Sequence, residues 1–574
     1  MLILTLLLIT GICPLYAEEE EKESSKESSE EATNLIEPAA PNIILILADD
    51  LGWNDVSFHG SPQIPTPNID ALASSSIILN NYYTEPLCTP SRAALLSGQY
   101  PIHLGLQHSN IKSGEPTALP LNVTILPEYL QKKGYVTHMV GKWHLGYAKK
   151  DYTPLSRGFN SFFGFYNEMI DYYDYTNLER QNDQKSSVFY GVDLQDGLET
   201  VKNFRGRYAT DVFGQKAVDI IENHNVTDPL FLYISHLACH AGNEYMPLQA
   251  PVETVARNSH IKDLKRKLFA GVVTSLDDSV GKLVDALNRT GMLQNSIIVF
   301  TTDNGGDASG DGVGKASNFP LRGEKKNAWE GGIRVPCFIW SPLLGLKEPR
   351  TSKQLMHVTD WLPTLYTAAG GDISDLGTID GYNMWKVLIN YSPSPRLEIL
   401  HNIDPIWNMA ALRRGDYKLI KGSAPGGGDL WYGSSGLEDM DPPSSMDDWV
   451  FKNNSIVKKI LEEVNLWLPS VPDLWRINAT IQCQITPPSD NGGCDPATSP
   501  CLFNVAADPC EYNNLAQRYP RIVRSMTAIL NRYNASAMTP LSTVSDLRAD
   551  PRCHGFAYVP WMDEPFSLDY CPYA

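Results

Sequence analysis

The sequence predicts an α/β chain: a mostly parallel sheet sandwiched by helices, followed by a smaller C-terminal antiparallel-sheet domain with a helix. Three observations predict it. Short unbroken apolar runs, IILILA, PLFLYIS and SIIVFTT, read as strands buried on both faces. Stretches of helical character lie between them, the alternation that builds parallel sheets. After Pro395 the texture changes: AALRRGDYKLIKG reads as a hairpin, and cysteines and prolines crowd the remainder.

The elements follow in order. MLILTLLLITGICPLYA, residues 1–17, is an apolar run of signal-peptide length ending in a small residue, too short to be a good membrane span. No later segment reaches spanning length, so no stable membrane insertion is expected. Residues 18–40 are acidic and poor in apolar residues, a disordered lead-in. The larger domain is assigned to residues 41–395 and the smaller, disulfide-rich one to 396–574.

Within the larger domain, the strand Ile43 to Ala48 ends in Asp49 and Asp50. Thr66-Pro67 reads as an N-cap followed by a first-turn proline. ILPEYLQKK is a helix stopped by Gly134, and YVTHMVGK is the strand after it. Residues 212–222 form a helix before PLFLYIS, and DLKRKLFAGVVTSLDDSVGKLVDALNRTG forms a long one. SIIVFTT leads into Asp303 and Asn304; the strand PCFIWSP and a helix around DWLPTLYTAAGG follow. The last helix lies near LAQRYPRIVRSMTAILNRY.

Composition is ordinarily globular, and the net charge of -19 argues against a nucleic-acid or anionic-membrane partner for the surface as a whole. A small basic pocket for an anion remains compatible with it. Sequons begin at Asn122, Asn225, Asn288, Asn390, Asn453, Asn478 and Asn534, which fits the secretory pathway, with a lysosomal or extracellular destination. Of ten cysteines, Cys13 leaves with the signal, and the odd remainder flags one thiol with another task. Cys483, Cys494, Cys501, Cys510, Cys553 and Cys571 read as three disulfides of open pairing. Cys239 and Cys337 sit in apolar strand-like segments and read as buried free thiols. Cys88 remains, in the polar turn PLCTPSR.

Ligands of open α/β sheets collect beyond the carboxyl ends of the strands. Asp49 and Asp50 end one strand, Asp303 and Asn304 another, and Lys142 and His144 a third. Carboxylates gathered at one place repel unless a cation sits among them, and oxygen donors suit Ca²⁺ or Mg²⁺. Thr89 can cap a short helix with Pro90 in its first turn, which puts Cys88 at a helix N-terminus, a place that favours anions, with Arg92 beside it.

Cys88-Thr89-Pro90-Ser91-Arg92 resembles the C-x-P-S-R signature of the type I, formylglycine-dependent sulfatases, and GYVTHMVGKWHLG resembles their second signature. ILADDLGWNDVSFHG, TTDNGGD, PLRGEKKNAWEGGIR and SPSPRLEILHNIDP extend the similarity, most of all to the branch with arylsulfatase B (N-acetylgalactosamine-4-sulfatase) and arylsulfatases I and J. The resemblance implies an alkaline-phosphatase-like fold. It implies that Cys88 is oxidised by the formylglycine-generating enzyme, which explains the lone cysteine, and that one Ca²⁺ is held by Asp49, Asp50, Asp303, Asn304 and residue 88. It implies that Arg92 stabilises the formylglycine, that His144 handles its hydroxyls, and that Lys142, His240 and Lys325 hold the sulfate and the leaving oxygen. His236 is the alternative to His240.

The implied activity is hydrolysis of sulfate esters, from N-acetylgalactosamine 4-sulfate units of chondroitin or dermatan sulfate and from aryl sulfates. Two other readings compete: a phosphate or phosphonate ester hydrolase of the same superfamily, and a secreted binder of sulfated glycans without turnover. The segments 160–200 and 422–480 and the cysteine placement depart from the branch's pattern, so neither the substrate nor the disulfide map carries over.

Overall fold

The computed structural model describes residues 40–181, 187–308, 314–424, 431, 433, 435–439, 443–452, 455–468, 471–483, 487–489, 491–564 and 571. The signal peptide, the lead-in up to residue 39 and the sequon at Asn453 lie outside the described residues.

Ten strands form the main sheet: β1 (Asn42–Ala48), β2 (Ile77–Leu79), β3 (Val136–Lys142), β4 (Ser161–Phe165), β5 (Gln195–Asp196), β6 (Glu199–Thr200), β7 (Leu230–Ser235), β8 (Ser296–Thr302), β9 (Cys337–Trp340) and β10 (Arg350–Ser352). Their order is β10-β2-β9-β8-β1-β7-β3-β4-β5-β6. The central five, β8, β1, β7, β3 and β4, are parallel neighbours. The antiparallel pairings are β8 with β9, β9 with β2, β4 with β5 and β5 with β6.

The apolar runs are continuous because each central strand feeds two cores. Ile43, Leu45 and Leu47 pack on one face of the sheet and Ile44, Ile46 and Ala48 on the other, the alternation that a pleated strand imposes. Fully burying one such aliphatic side chain contributes about 1.5–3 kcal/mol. Helices α1 (Pro67–Ala73), α4 (Ala209–Asn223) and α5 (Leu264–Arg289) cover the Ile44 face. Helices α2 (Cys88–Ser97), α3 (Leu126–Lys132) and α6 (Trp361–Ala368) cover the Ile43 face.

The second sheet is antiparallel, in the order β11 (Glu398–Asp404), β12 (Met409–Arg414), β13 (Tyr417–Lys421) and β14 (Cys501–Asn504). Helix α7 (Pro520–Ser536) packs Met526, Ile529 and Leu530 against Leu400, Leu412, Leu419 and Leu502. Residues 456–468 and 471–479 return to the large sheet, where Val457, Ile460, Leu461, Trp475 and Ala479 join the Ile44 core.

The disulfides are Cys483–Cys510, Cys494–Cys501 and Cys553–Cys571. Cys88, Cys239 and Cys337 are free and buried. Among the described residues no helix is long and apolar enough to cross a membrane. Asn122, Asn225, Asn390, Asn478 and Asn534 are exposed, and Asn288 is half-buried.

Three local expectations are corrected. Thr66 precedes α1 but does not cap its backbone; its hydroxyl donates to Asp70 Oδ1 at 2.6 Å. The free N–H groups of Asn68 and Ile69 go instead to Asp277 Oδ1, at 2.9 and 2.8 Å, so the cap comes from α5. Thr89 does not cap α2, which already starts at Cys88; its hydroxyl donates to the His144 carbonyl at 3.0 Å. Cys239 lies in a turn beyond β7, where its N–H donates to the Asp49 carbonyl at 2.6 Å.

Candidate active site

The parallel strands run in one direction, so their carboxyl ends meet along one edge. β1 delivers Asp49 and Asp50, β8 delivers Asp303 and Asn304, β3 delivers Lys142 and His144, and the turn after β7 delivers His240. α2 presents Cys88 as its first residue with Arg92 one turn on. Asp50 and His144 both adopt left-handed backbone, with φ of 58° and 56°, a local cost of about 1–3 kcal/mol each that clusters at functional sites.

Three carboxylates face three cations. Lys142 Nζ donates to Asp49 Oδ2 at 2.7 Å, and Lys325 Nζ donates to Asp50 Oδ2 at 2.7 Å. Arg92 donates twice to Asp303 Oδ2, from Nε at 3.0 Å and Nη2 at 2.8 Å, and from Nη1 to Ser235 Oγ at 2.5 Å. The Asp50 N–H donates to Asp303 Oδ1 at 3.2 Å, so both oxygens of Asp303 are engaged. Cys88 Sγ lies 3.7 Å from Asp49 Oδ1. All of these side chains are buried.

The histidines separate. His240 Nε2 lies 3.6 Å from Asp50 Oδ2, and its Nδ1 lies 2.6 Å from the Ala241 carbonyl. A carbonyl only accepts, so Nδ1 carries the proton and Nε2 is bare in the neutral ring. His236 is not in the cluster; its Nε2 contacts Ser279 Oγ of α5 at 3.2 Å. His144 Nε2 faces the Ile111 carbonyl at 3.3 Å, which leaves Nδ1 bare, buried and without a partner.

The electrostatics follow from burial and crowding. Burial first, then the Asp303 charge, push Asp49 up to about 8. Burial also raises Asp303, but Arg92, Lys142 and Lys325 outweigh it and hold that carboxyl well below the usual range. Burial and then Lys325 push His240 down to about 4, and burial and then Lys142 push His144 far below its ordinary value. Burial and then Asp303 push the Cys88 thiol well up, so it is a neutral, poorly nucleophilic thiol.

The residues present fit a divalent cation. Among the described residues, Asp49, Asp50, Cys88 and His240 each offer a donor atom, all within 4.8 Å of one another. Asn304 Nδ2 donates to Asp50 Oδ1 at 2.6 Å, while its Oδ1 is buried without a partner, an acceptor that a cation would satisfy. The oxygens of Asp49, Asp50 and Asn304 are hard donors that suit Ca²⁺ or Mg²⁺, while Cys88 and His240 offer sulfur and nitrogen.

Sequence reasoning missed three members of this neighbourhood. Ser235 receives Arg92 from the last position of β7. Asn110 Oδ1 accepts the Thr89 N–H at 3.1 Å, and Asn110 Nδ2 donates to Glu168 Oε1 at 2.8 Å. Nothing in the sequence around Ser235 or Asn110 signals this; Glu168 could have been found as the acidic residue just past FFGF, the run that forms β4.

The matching family and the named relatives agree. The family described as Sulfatase matches residues 41–371. Arylsulfatase J of Mus musculus is 37% identical over 543 residues, covering 91% of this chain and 81% of that one. N-acetylgalactosamine-6-sulfatase of Homo sapiens is 32% identical over 363 residues, covering 61% of this chain and 66% of that one. Among solved structures, Ps i-CgsB superposes with a TM-score of 0.66 at 27% identity, over 88% of this chain and 94% of that one.

Proposed function

This chain belongs to the sulfatase family, and from that premise we propose that it cleaves sulfate esters with a formylglycine made from Cys88 and one Ca²⁺, acting on N-acetylgalactosamine 4-sulfate units of glycosaminoglycans and on aryl sulfates. The observation that carries the reading is the seat of Cys88: an inert thiol at a helix N-terminus, 3.7 Å from Asp49, with Arg92 one turn on and the charges of Lys142 and Lys325 acting on it. A thiol so placed serves as a precursor better than as a nucleophile. Similarity to arylsulfatase J and to N-acetylgalactosamine-6-sulfatase supports the substrate class.

When present, the hydrated aldehyde supplies two hydroxyls on one carbon, and the cation supplies positive charge beside them. Asp49, Asp50, Asp303 and Asn304, with residue 88, would hold the cation. Arg92, fixed by Asp303 and Ser235, orients residue 88. Lys142 and Lys325 place ammonium groups for the sulfuryl oxygens, preorganised charge where the transition state develops it. His144 Nδ1 is the bare imidazole nitrogen that would take a proton from the second hydroxyl. His240 Nε2 is bare as well and has no proton to give, so Lys325 Nζ protonates the departing oxygen. The disulfides and exposed sequons support passage through the secretory pathway to the lysosome or the extracellular space.

The test compares hydrolysis of nitrophenyl sulfate and nitrophenyl phosphate by the wild type and by Cys88→Ala, with circular dichroism to check the fold. The wild type turns over the sulfate in preference, and Cys88→Ala loses at least about a thousandfold in rate. Full turnover of the sulfate by a folded Cys88→Ala overturns the reading.

A further inference from the structure

Four of the five parallel strand ends supply the groups described above. The fifth, β4, ends at Phe165, and Glu168 follows three residues later. Its side chain is only 17% exposed. Oε1 accepts from Asn110 Nδ2 at 2.8 Å, and Asn110 in turn holds the N–H of Thr89, next to Cys88. Ile111 is tied to the same place: its N–H donates to Thr89 Oγ1 at 3.2 Å, and its carbonyl faces His144 at 3.3 Å. Glu168 is therefore braced against the start of α2.

Its charge belongs to the same space. Burial alone would raise the Glu168 carboxyl, but nearby lysine charges, Lys112 first and Lys325 after it, hold it well below the ordinary range. Lys112 forms an ion pair with this carboxylate, but shares it with Glu179. Lys112 Nζ is 3.1 Å from Glu179 Oε1 and 3.6 Å from Glu168 Oε2, so its closer partner is Glu179. Glu168 Oε2 therefore meets Lys112 only through the longer, shared contact of 3.6 Å. Oε1 is anchored by Asn110, and Oε2, beside a lysine it shares, has lone pairs left to accept a further hydrogen bond.

Arg92, Lys142 and Lys325, the groups ready to meet a sulfate, are donors and cations. We propose that Glu168 is a specificity-determining residue, whose Oε2 accepts a hydrogen bond from a hydroxyl or amide N–H on the sugar ring that carries the sulfate. Its negative charge also disfavours a second sulfate on that ring. The preferred substrate is then a monosulfated sugar with a neighbouring donor. This inference rests on the sulfate-ester reading of the site.

The experiment measures kcat/KM of the wild type and of Glu168→Gln on N-acetylgalactosamine 4-sulfate, N-acetylgalactosamine 4,6-disulfate and nitrophenyl sulfate. The amide keeps the shape and the Asn110 neighbourhood but loses the charge. The expected result is a loss of about tenfold on the monosulfated sugar, a smaller loss on the aryl sulfate, and a rise of about tenfold in the ratio of disulfated to monosulfated turnover. An equal loss on all three substrates marks Glu168 as merely structural and overturns the inference, as does an unchanged ratio. If the wild type hydrolyses no sulfate ester, the parent reading fails. The inference is then judged by calorimetric binding of N-acetylgalactosamine 4-sulfate, which Glu168→Gln must weaken; equal affinity overturns it.

Discussion

Arg92 grips Asp303 by a single oxygen: Nε at 3.0 Å and Nη2 at 2.8 Å both donate to Oδ2, and solvent reaches neither side chain. The same guanidinium donates to Ser235 and lies 3.5 Å from Asp49, so one side chain from α2 ties together the ends of β8, β7 and β1. Only a planar fork with several donors can do this at once. The site is thereby assembled by its own charges.

Removing that fork leaves Asp303 and Asp49 buried with too little counter-charge. Arg92→Met is expected to destabilise the fold by about 3–5 kcal/mol. Arg92→Lys restores the charge without the fork and recovers only part of the loss. Urea denaturation of the three proteins measures the series. A Lys variant as stable as the wild type would show that geometry contributes nothing.

Gly141 sits in β3 immediately before Lys142. A Cβ added there would lie 1.9 Å from the Ser235 carbonyl oxygen, and the backbone φ of 101° is one that L side chains rarely adopt. Gly141→Ala must push β3 away from β7 and carry Lys142 with it. The expected cost is about 3 kcal/mol or more, with activity falling further than stability alone explains. Thermal unfolding and kcat/KM, measured together, check both parts.

Lys418 of β13 lies buried between Glu330 and Glu511, at 2.9 and 2.7 Å. Burial pushes Glu511 up to about 7, Lys418 opposes the shift, and Glu330 adds to it. A carboxyl with a raised folded pKa binds its proton more tightly in the native state. Its stabilising contribution is whole below about pH 4.5, its ordinary value, and is lost as pH climbs through about 7. Glu511→Gln should flatten that part of the profile of melting temperature against pH. An unchanged slope over the window contradicts the assignment.

Cation removal gives a separate prediction. If Asp49, Asp50 and Asn304 hold Ca²⁺ in the native state alone, the ion stabilises the fold by about 2.7 kcal/mol at a hundred times its dissociation constant. Chelation should lower the melting temperature, and added Ca²⁺ should restore it. Asn304→Leu, which removes the unpartnered oxygen, should shrink the restored increment. A melting temperature indifferent to chelator and to Ca²⁺ would remove the cation from the account.

Much of this was legible in the sequence because two-sided burial leaves a plain mark. The strand Asn42–Ala48 has no polar face to show after Asn42, so its end, and Asp49 and Asp50 with it, could be read directly. The same holds for Asp303 and Asn304 after β8. Long-range choices left no local mark. Nothing near Thr66 reveals that Asp277, some two hundred residues away, caps α1. Strands of two residues, such as Gln195–Asp196, carry no period at all. Val457, Leu461 and Trp475 look like any apolar residues after Pro395, and only tertiary packing returns them to the core of the large sheet. Asn110 and Ser235 act through single hydrogen bonds that no spacing announces.

The measurement that bears most directly on the central claim is the mass of the peptide containing Cys88, from protein made in a secretory host that modifies a control sulfatase. Chymotrypsin is the protease of choice, because no Lys or Arg lies between Lys26 and Arg92. The account predicts a peptide that has lost the elements of H₂S and gained one oxygen, the change from cysteine to formylglycine. An unmodified thiol at Cys88, in a host that converts the control, would contradict it.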